Sequence, residues 1–345
     1  SFIEVLNNIN DGVIIINFET KIVFLNENAK QYIIPNKEIY DLILLEKVIR
    51  NNLLDSIINN VKNDLNEVHE EITIYNPKKN IVELHAKPIL NNELDKLIIL
   101  TFKNITKIRK LENLRKEFVE NVTHELKTPI TVINGFLETI KNETLKKGQK
   151  KEFLEIISGQ TIRLSSIIDN LIFLTELEDK EEYKNILFKE ENLNQIIKNA
   201  IESNINKAKE KNINIIFDDK KIKILATINS ILFYQLLINL LDNAIKYSSE
   251  NKNIKIEFEK NKNHIKIKII DEGDGIEKKH LPFLFQRFYR IDKSRNRKTG
   301  GSGLGLSIAK HIMEIHKGEI SVESEVDIGT TFICKLPIKK GDHNE

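Results

Sequence analysis

Residues His124 to Pro129 read His-Glu-Leu-Lys-Thr-Pro inside a stretch of helical apolar spacing. A neutral imidazole has a nucleophilic ring nitrogen near neutral pH. A neighbouring carboxylate can fix its tautomer and take the proton from the other nitrogen as a new bond forms. This chemistry suits His124 to attack a phosphorus atom with Glu125 as general base. Thr128 lies one helical turn beyond His124 and shares its face. Pro129 must remove one backbone hydrogen bond and is expected to bend the helix.

A second group of residues suits a nucleotide. In Asn239-Leu-Leu-Asp-Asn243-Ala-Ile-Lys246-Tyr247 the helical repeat puts Asn239, Asn243, Lys246 and Tyr247 on one face, with Leu240, Leu241, Ala244 and Ile245 on the other. Two carboxamides one turn apart offer oxygen ligands to Mg2+, a hard ion that takes few protein ligands. Lys246 can then reach a phosphate. Asp271 closes an alternating strand and is followed by Gly273 and Gly275, which let the backbone turn sharply beside a ligand. A carboxylate there can accept the exocyclic amine of adenine. Gly300, Gly301, Gly303, Leu304 and Gly305 run into a helix whose first amides suit phosphate. Taken singly, each segment also fits a solvated helix face or an ordinary turn.

The elements that must position these residues form three modules. Over Phe2 to Lys103 the pattern is a short helix, a hairpin (Gly12 to Asn17 and Ile22 to Leu25), a helical insert over Ile39 to Val61, and strands at Val68 to Tyr75, Ile81 to Leu90 and Leu97 to Phe102. Two long helices are expected next, over Ile105 to Lys141 and from Phe153 to Glu178, joined by a polar turn at Asn142 to Gly148. Leu111, Leu114, Phe118 and Val122 form the seam of the first. Phe153, Ile157, Gln160, Leu164, Ile167, Leu171, Leu174 and Glu178 form that of the second. Two antiparallel helices bury little alone, so a homodimer with a four-helix bundle is expected. From Asn185 to Pro337 helices alternate with strands: helices at Leu193 to Lys211, Ser230 to Tyr247 and Gly305 to His316, and strands near Ile213 to Phe217, Ile222 to Ala226, Ile254 to Lys260, His264 to Asp271, Glu319 to Glu325 and Thr330 to Leu336. This reads as an α/β sandwich.

With 345 residues, more than one core is expected. The 53 basic and 51 acidic side chains leave a net charge of +2, which offers no global electrostatic case for nucleic acid. The single cysteine, Cys334, has no partner at metal-ligand spacing and reads as a reduced, buried, intracellular thiol. No apolar run reaches the roughly 18 to 20 residues needed to span a bilayer, so the chain as given reads as soluble. Because it begins at Ser1 without an initiator methionine, it reads as part of something longer.

In this order, the four segments resemble the sensor histidine kinases of two-component signalling, from the first residues to about Pro337. The resemblance implies a multidomain α+β chain: a PAS α/β sensor domain (1–104), a dimerisation and histidine phosphotransfer hairpin forming a four-helix bundle in the dimer (105–182), and a Bergerat-type α/β sandwich ATP-binding domain (183–345). It implies ATP and Mg2+ as cofactors and autophosphorylation at His124. The phosphoryl group then passes to an aspartate on the receiver domain of a separate response regulator, which Thr128 helps to dephosphorylate by orienting water.

Carried over by residue, Asn243 would ligate Mg2+, while Asn239, Lys246 and Tyr247 would line the pocket and Asp271 would read adenine. Phe285-Gln286-Arg287-Phe288-Tyr289-Arg290 resembles the opening of a mobile lid, with Arg287, Arg290 or the basic run Lys293 to Lys298 at the γ-phosphate. Gln286 stands where a glutamate is usual. Asn104-Ile-Thr106 stands where an Asp-x-Thr pattern is common, which removes the usual salt bridge at that junction. Gly329-Thr-Thr331-Phe matches a structural turn of the family.

The arrangement is most similar to the phosphate-regulon branch, and it implies membrane helices outside this sequence, with this chain on the cytoplasmic side. His69 and His85 read as solvent-facing strand residues. Two other classes compete. A gyrase-like or chaperone-like clamp ATPase would not need the His-Glu-Leu-Lys-Thr-Pro helix, and a non-enzymatic scaffold would not need Asn243, Asp271 and the glycines.

Overall fold

The computed structural model describes residues 2–32, 43–75, 78–91, 95–141, 148–178, 186–218, 224–291 and 301–338. The expected turn over 142–147, the basic run 293–298, Gly300, the start of the 39–61 insert and the 182/183 domain boundary lie outside them. The chain divides into two compact units, Ser1–Val119 and Glu120–Glu345.

In the first unit, α1 (Phe2–Asn7) precedes strands β1 (Gly12–Asn17) and β2 (Ile22–Leu25). After α2 (Asn52–Asp64) come β3 (Val68–Tyr75), β4 (Lys79–Asn91) and β5 (Asp95–Asn104). The strands form one sheet in the order β2-β1-β5-β4-β3. Alternate residues Ile98, Leu100 and Phe102 enter a core with Ile14, Ile16, Leu84 and Tyr32, whose ring stacks on Phe102 at 5.9 Å. Buried Asn26 ties this end together: its amide donates to the carbonyls of Leu6 (3.0 Å) and Asp11 (2.9 Å), and its Oδ1 accepts from the Val13 amide at 2.8 Å.

The helical insert is shorter than expected. Leu45–Lys47 is a single 3-10 turn, and α2 starts only at Asn52, because the Asn51 side chain accepts from the Leu53 and Leu54 amides and caps it there.

Asn104 does the local work of the aspartate it replaces. Its Oδ1 accepts from the Thr106 amide at 3.0 Å as α3 (Thr106–Lys141) begins, and the nearby ion pair is made instead by Arg109 with Glu71 of β3. His69 and His85 are exposed as expected, with their rings 5.8 Å apart across the β3/β4 pairing.

In the second unit, α3 continues through Pro129 as one helix to Lys141, so the proline does not end it. It packs on α4 (Gln149–Glu178), with the rings of Phe136 and Phe153 5.0 Å apart. The expected stripe on α4 is half-buried or buried up to Leu174, but the last buried position is Leu177. Glu178 is exposed and pairs with Arg287. On α3, Leu111 and Leu114 stay 58% and 61% exposed, and on α4 Ile162 is 68% exposed.

The remainder is an α/β layer structure. Helices α5 (Leu193–Glu210), α6 (Ser230–Tyr247) and α7 (Gly305–Ile315) pack with a sheet of order β11-β12-β10-β9-β7, built from β7 (Asn214–Phe217), β9 (Asn253–Lys260), β10 (His264–Asp271), β11 (Glu319–Glu325) and β12 (Gly329–Pro337). The pair β7/β9 is parallel and the others are antiparallel.

Ile265, Ile267 and Ile269 alternate into the core beneath Leu236, Leu237, Leu240 and Leu241 of α6. Cys334 is buried there, and burial pushes its thiol up to about 12, in keeping with an unreactive core residue. A separate pair, β6 (Lys189–Asn192) with β8 (Leu225–Ile228), was not apparent from the sequence, because β6 reads Lys-Glu-Glu-Asn. Asn229 caps α6, its side chain accepting from the Leu232 amide, while its own amide donates to Nε2 of buried His316 at 3.1 Å.

Candidate nucleotide site and phosphoacceptor

Helix α6 carries four of the expected residues on one face: Asn239, Asn243 and Lys246 are half-buried and Tyr247 is exposed, while Leu240, Leu241, Ala244 and Ile245 are buried. The glycine-bearing entry to α7 comes against this face. A Cβ at Gly305 would lie 3.6 Å from Asn239 Oδ1, and one at Gly301 would run into Lys246 Nζ. Nδ2 of Asn239 is buried and has no hydrogen-bond partner among the described residues. An unpaired buried amide is costly, and a bound acceptor such as a phosphate oxygen would satisfy it.

The other wall is the turn after β10. Asp271 is 5% exposed, and its Oδ1 accepts from the amides of Gly273 (2.9 Å) and Thr330 (3.2 Å). Burial outweighs these bonds and pushes its carboxyl up to about 6. Both described hydrogen bonds fall on Oδ1, which leaves Oδ2 to receive a donor such as an adenine amine. Gly273 stands where a Cβ would lie 2.6 Å from the Tyr247 carbonyl, and Ser248 bridges to Gly273, so the end of α6 is docked against the Asp271 turn. Gly275, at φ +70, packs so closely that a Cβ there would strike the Glu325 carbonyl.

Cations gather at the open end. Burial, followed by the charge of Arg290, lowers Lys246 to about 8, with Arg163 and Lys211 adding to the effect and Asp242 opposing it. Nζ of Lys246 sits 5.0 Å from the Tyr247 ring centroid. So many like charges around one partly buried ammonium suit an anion such as a triphosphate. Asn243 offers a neutral oxygen on the same face, as a hard cation held partly by phosphate requires. The residues present therefore fit both ATP and Mg2+.

Three further expected residues make other contacts. Arg287 is paired with Glu178 at the end of α4. Leu304 is fully buried, so it can offer a ligand only its backbone. Gly303, at φ +73, accepts from the Phe288 amide at 3.0 Å, and a Cβ there would press on the Phe288 backbone. This bond clamps together the two ends of the segment that carries Gly300 and the basic run.

On α3, His124 is exposed, Glu125 and Thr128 are half-buried and Pro129 is buried. Glu125 Oε2 accepts from Arg163 of α4 at 3.1 Å, with side chains 18% and 16% exposed. The Thr128 hydroxyl donates to the His124 carbonyl at 3.1 Å. Arg163 was missed in the sequence because it lies 38 positions from Glu125 and on another helix. Besides pairing with Glu125 next to His124, it acts through its charge on Lys246.

An adenine amine that donated to Oδ2 would favour the ionised carboxylate, so nucleotide binding would draw Asp271 toward its charged form. ATP affinity is therefore expected to hold above pH 6 and to fall below it, approaching tenfold per pH unit. Calorimetric titrations from pH 5 to 8 measure this. A flat profile would remove Asp271 from adenine recognition.

Residues 114–180 match the His Kinase A (phospho-acceptor) domain, and residues 228–340 match the family described as histidine kinase-, DNA gyrase B-, and HSP90-like ATPase. The chain is 29% identical over 348 residues to sensor histidine kinase WalK of Bacillus subtilis, covering 97% of this chain and 55% of that protein. It is 36% identical over 241 residues to signal transduction histidine-protein kinase ArlS of Staphylococcus haemolyticus, covering 70% of this chain and 52% of that one. It thus spans about half the length of these curated relatives.

Two solved structures share the fold at 24% identity. Histidine kinase AdeS of Acinetobacter baumannii superposes with a TM-score of 0.52, over 63% of this chain and 98% of that one. Histidine kinase ThkA, solved in complex with response regulator protein TrrA, gives 0.53 over 97% of each. With a phospho-acceptor helix pair leading into this ATPase fold, and sensor kinases as its relatives, the chain belongs to the sensor histidine kinases of two-component systems.

Proposed function

We propose that the chain uses ATP to phosphorylate its own His124 and passes the phosphoryl group to an aspartate of a separate response regulator. The observation that carries this reading is the close approach of α6 to the Asp271 turn and to the entry to α7, with an Asn239 amide that has no partner among the described residues and with cations acting on Lys246. Mg2+, held by the Asn243 oxygen and phosphate oxygens, supplies charge neutralisation when bound. Asn239 and Lys246 hold phosphate oxygens, Asp271 accepts from adenine, and Arg290 adds positive charge beside Lys246. A ring nitrogen of His124 attacks the γ-phosphorus, the bond to the bridging oxygen breaks, and ADP leaves with that electron pair. Glu125 takes the proton from the other ring nitrogen, for which it must exchange its partner Arg163 for the imidazole.

The finer domain reading, PAS over 1–104, helical hairpin over 105–182 and ATP-binding over 183–345, belongs to the same proposal. The β2-β1-β5-β4-β3 sheet supports the sensor assignment. Exposed Leu111, Leu114, Ile162, Ile168 and Ile172 support closure of the two hairpins of a homodimer into a four-helix bundle. Among the described residues, no helix is long and apolar enough to cross a membrane, so membrane attachment belongs to the proposal for the whole protein. Similarity to the phosphate-regulon branch stays a reading of the sequence alone.

Incubation with γ-labelled ATP and Mg2+ tests the central step. Label that stays on the protein, is lost in acid, survives base and moves to a receiver domain is the expected result. ATP binding and hydrolysis with no labelled protein would instead favour a clamp-type ATPase.

Thr128 enters the same proposal as the residue that orients water for dephosphorylation of the regulator. Thr128→Ala is expected to slow loss of phosphate from the receiver on the order of a hundredfold while autophosphorylation continues. An unchanged rate would leave the hydroxyl only its bond to the His124 carbonyl.

A further inference from the structure

Lys211 stands just past the end of α5, 35 positions before Lys246, and its ammonium lies on the last turn of α6. Nζ donates to the carbonyls of Ile245 (2.9 Å), Lys246 (2.8 Å) and Ser248 (3.0 Å). A helix leaves its last carbonyls unpaired and slightly negative, so a cation there both satisfies them and suits the helix dipole. The Tyr247 carbonyl, which Lys211 does not reach, is the one packed against Gly273. Ser248, which Lys211 does reach, bridges to Gly273, two residues past Asp271. The Lys211 carbonyl also accepts from the Asn251 amide at 3.0 Å and holds the chain as it leaves the helix.

We propose that Lys211 is a positioning residue of the nucleotide site: by closing the last turn of α6, its ammonium sets where Lys246 and Tyr247 meet the nucleotide and where the Asp271 turn docks. The proposal rests on the ATP reading above. Lys211 touches no nucleotide itself. It acts through the three carbonyls, so its effect should follow the number and charge of donors placed there. Arginine keeps a charged donor, glutamine keeps one neutral amide group, and methionine keeps only the stem.

The test is ATP binding by calorimetry in the presence of Mg2+, well below the melting temperature, on the whole chain and on Lys211→Arg, Lys211→Gln and Lys211→Met. Autophosphorylation at saturating ATP is measured alongside. Kd is expected to rise on the order of tenfold in Lys211→Met, less in Lys211→Gln and least in Lys211→Arg. The rate at saturating ATP should change far less than Kd, because the lost order is recovered once nucleotide is bound. Folded Lys211→Gln and Lys211→Met that bind ATP as wild type does, with only Tm lowered, would overturn the proposal and leave Lys211 a purely structural cap. Should Lys211→Met not fold, the comparison of Lys211→Gln with Lys211→Arg decides in the same way. A wild-type chain that binds no ATP would instead remove the nucleotide reading on which the proposal stands.

Discussion

Replacement of His124 with glutamine is expected to take protein labelling from γ-labelled ATP below detection while ATP affinity stays within about twofold of wild type. The two halves of this result come from different parts of the structure. His124 is exposed on α3, and glutamine is a good helix former, so the fold should be disturbed by less than about 0.5 kcal/mol. The pocket residues lie on α6, after β10 and before α7, and none of their hydrogen bonds described above involves His124. What is lost is the nucleophile, for which a carboxamide nitrogen is no substitute. Glu125 and its pairing with Arg163 would remain but have no proton to receive. Labelling of the variant at the wild-type rate would place the acceptor elsewhere and sink the assignment of His124.

Asp271→Asn should have the complementary effect, abolishing ATP binding in a chain that still folds. An asparagine can keep its oxygen where Oδ1 accepts from Gly273 and Thr330, which turns its NH2 to the position of Oδ2. A donor would then face the adenine amine, another donor, in a site that is 5% exposed. A buried site built to accept one hydrogen bond discriminates strongly when that bond is lost, so affinity should fall on the order of a thousandfold.

Stability should move the other way. Folding raises the Asp271 carboxyl from 3.8 to about 6, so its contribution is fully present below the unfolded value and is lost as pH rises through about 6. The asparagine carries no such dependence, and its Tm should equal or exceed that of wild type at pH 7. A lowered Tm together with retained ATP affinity would mean that Asp271 serves the fold and not the nucleotide.

The parts of this molecule that could be read from the residues are those governed by short-range periodicity. Ser230 to Tyr247 and His264 to Asp271 have the same bounds in structure as in sequence, because 3.6-residue and two-residue alternations of apolar side chains are strong there. The polar face of α6 was legible for the same reason. Elsewhere the deciding partner lies far along the chain. Arg163 is an ordinary helix residue until α3 brings Glu125 beside it, and Lys211 is one of many lysines until α5 and α6 pack. Strand β6 carries no apolar signal and exists because β8 offers it a ladder. The insert over Ile39 to Val61 was expected to be helical, but the Asn51 cap starts the helix only at Asn52. Arg287 was one of several cations expected at the phosphate from their motif, and in the structure its charge meets Glu178.

The bond from the Phe288 amide to the Gly303 carbonyl also governs what can be changed between them. Joining Phe288 to Gly303 fixes the base across which the intervening chain must close. Lengthening such a loop costs little closure entropy, about 0.6 kcal/mol for each doubling. Residues inserted between Arg290 and Gly301 are therefore expected to cost little stability, while Arg290 and Gly301, which border Lys246, are the positions to keep unchanged.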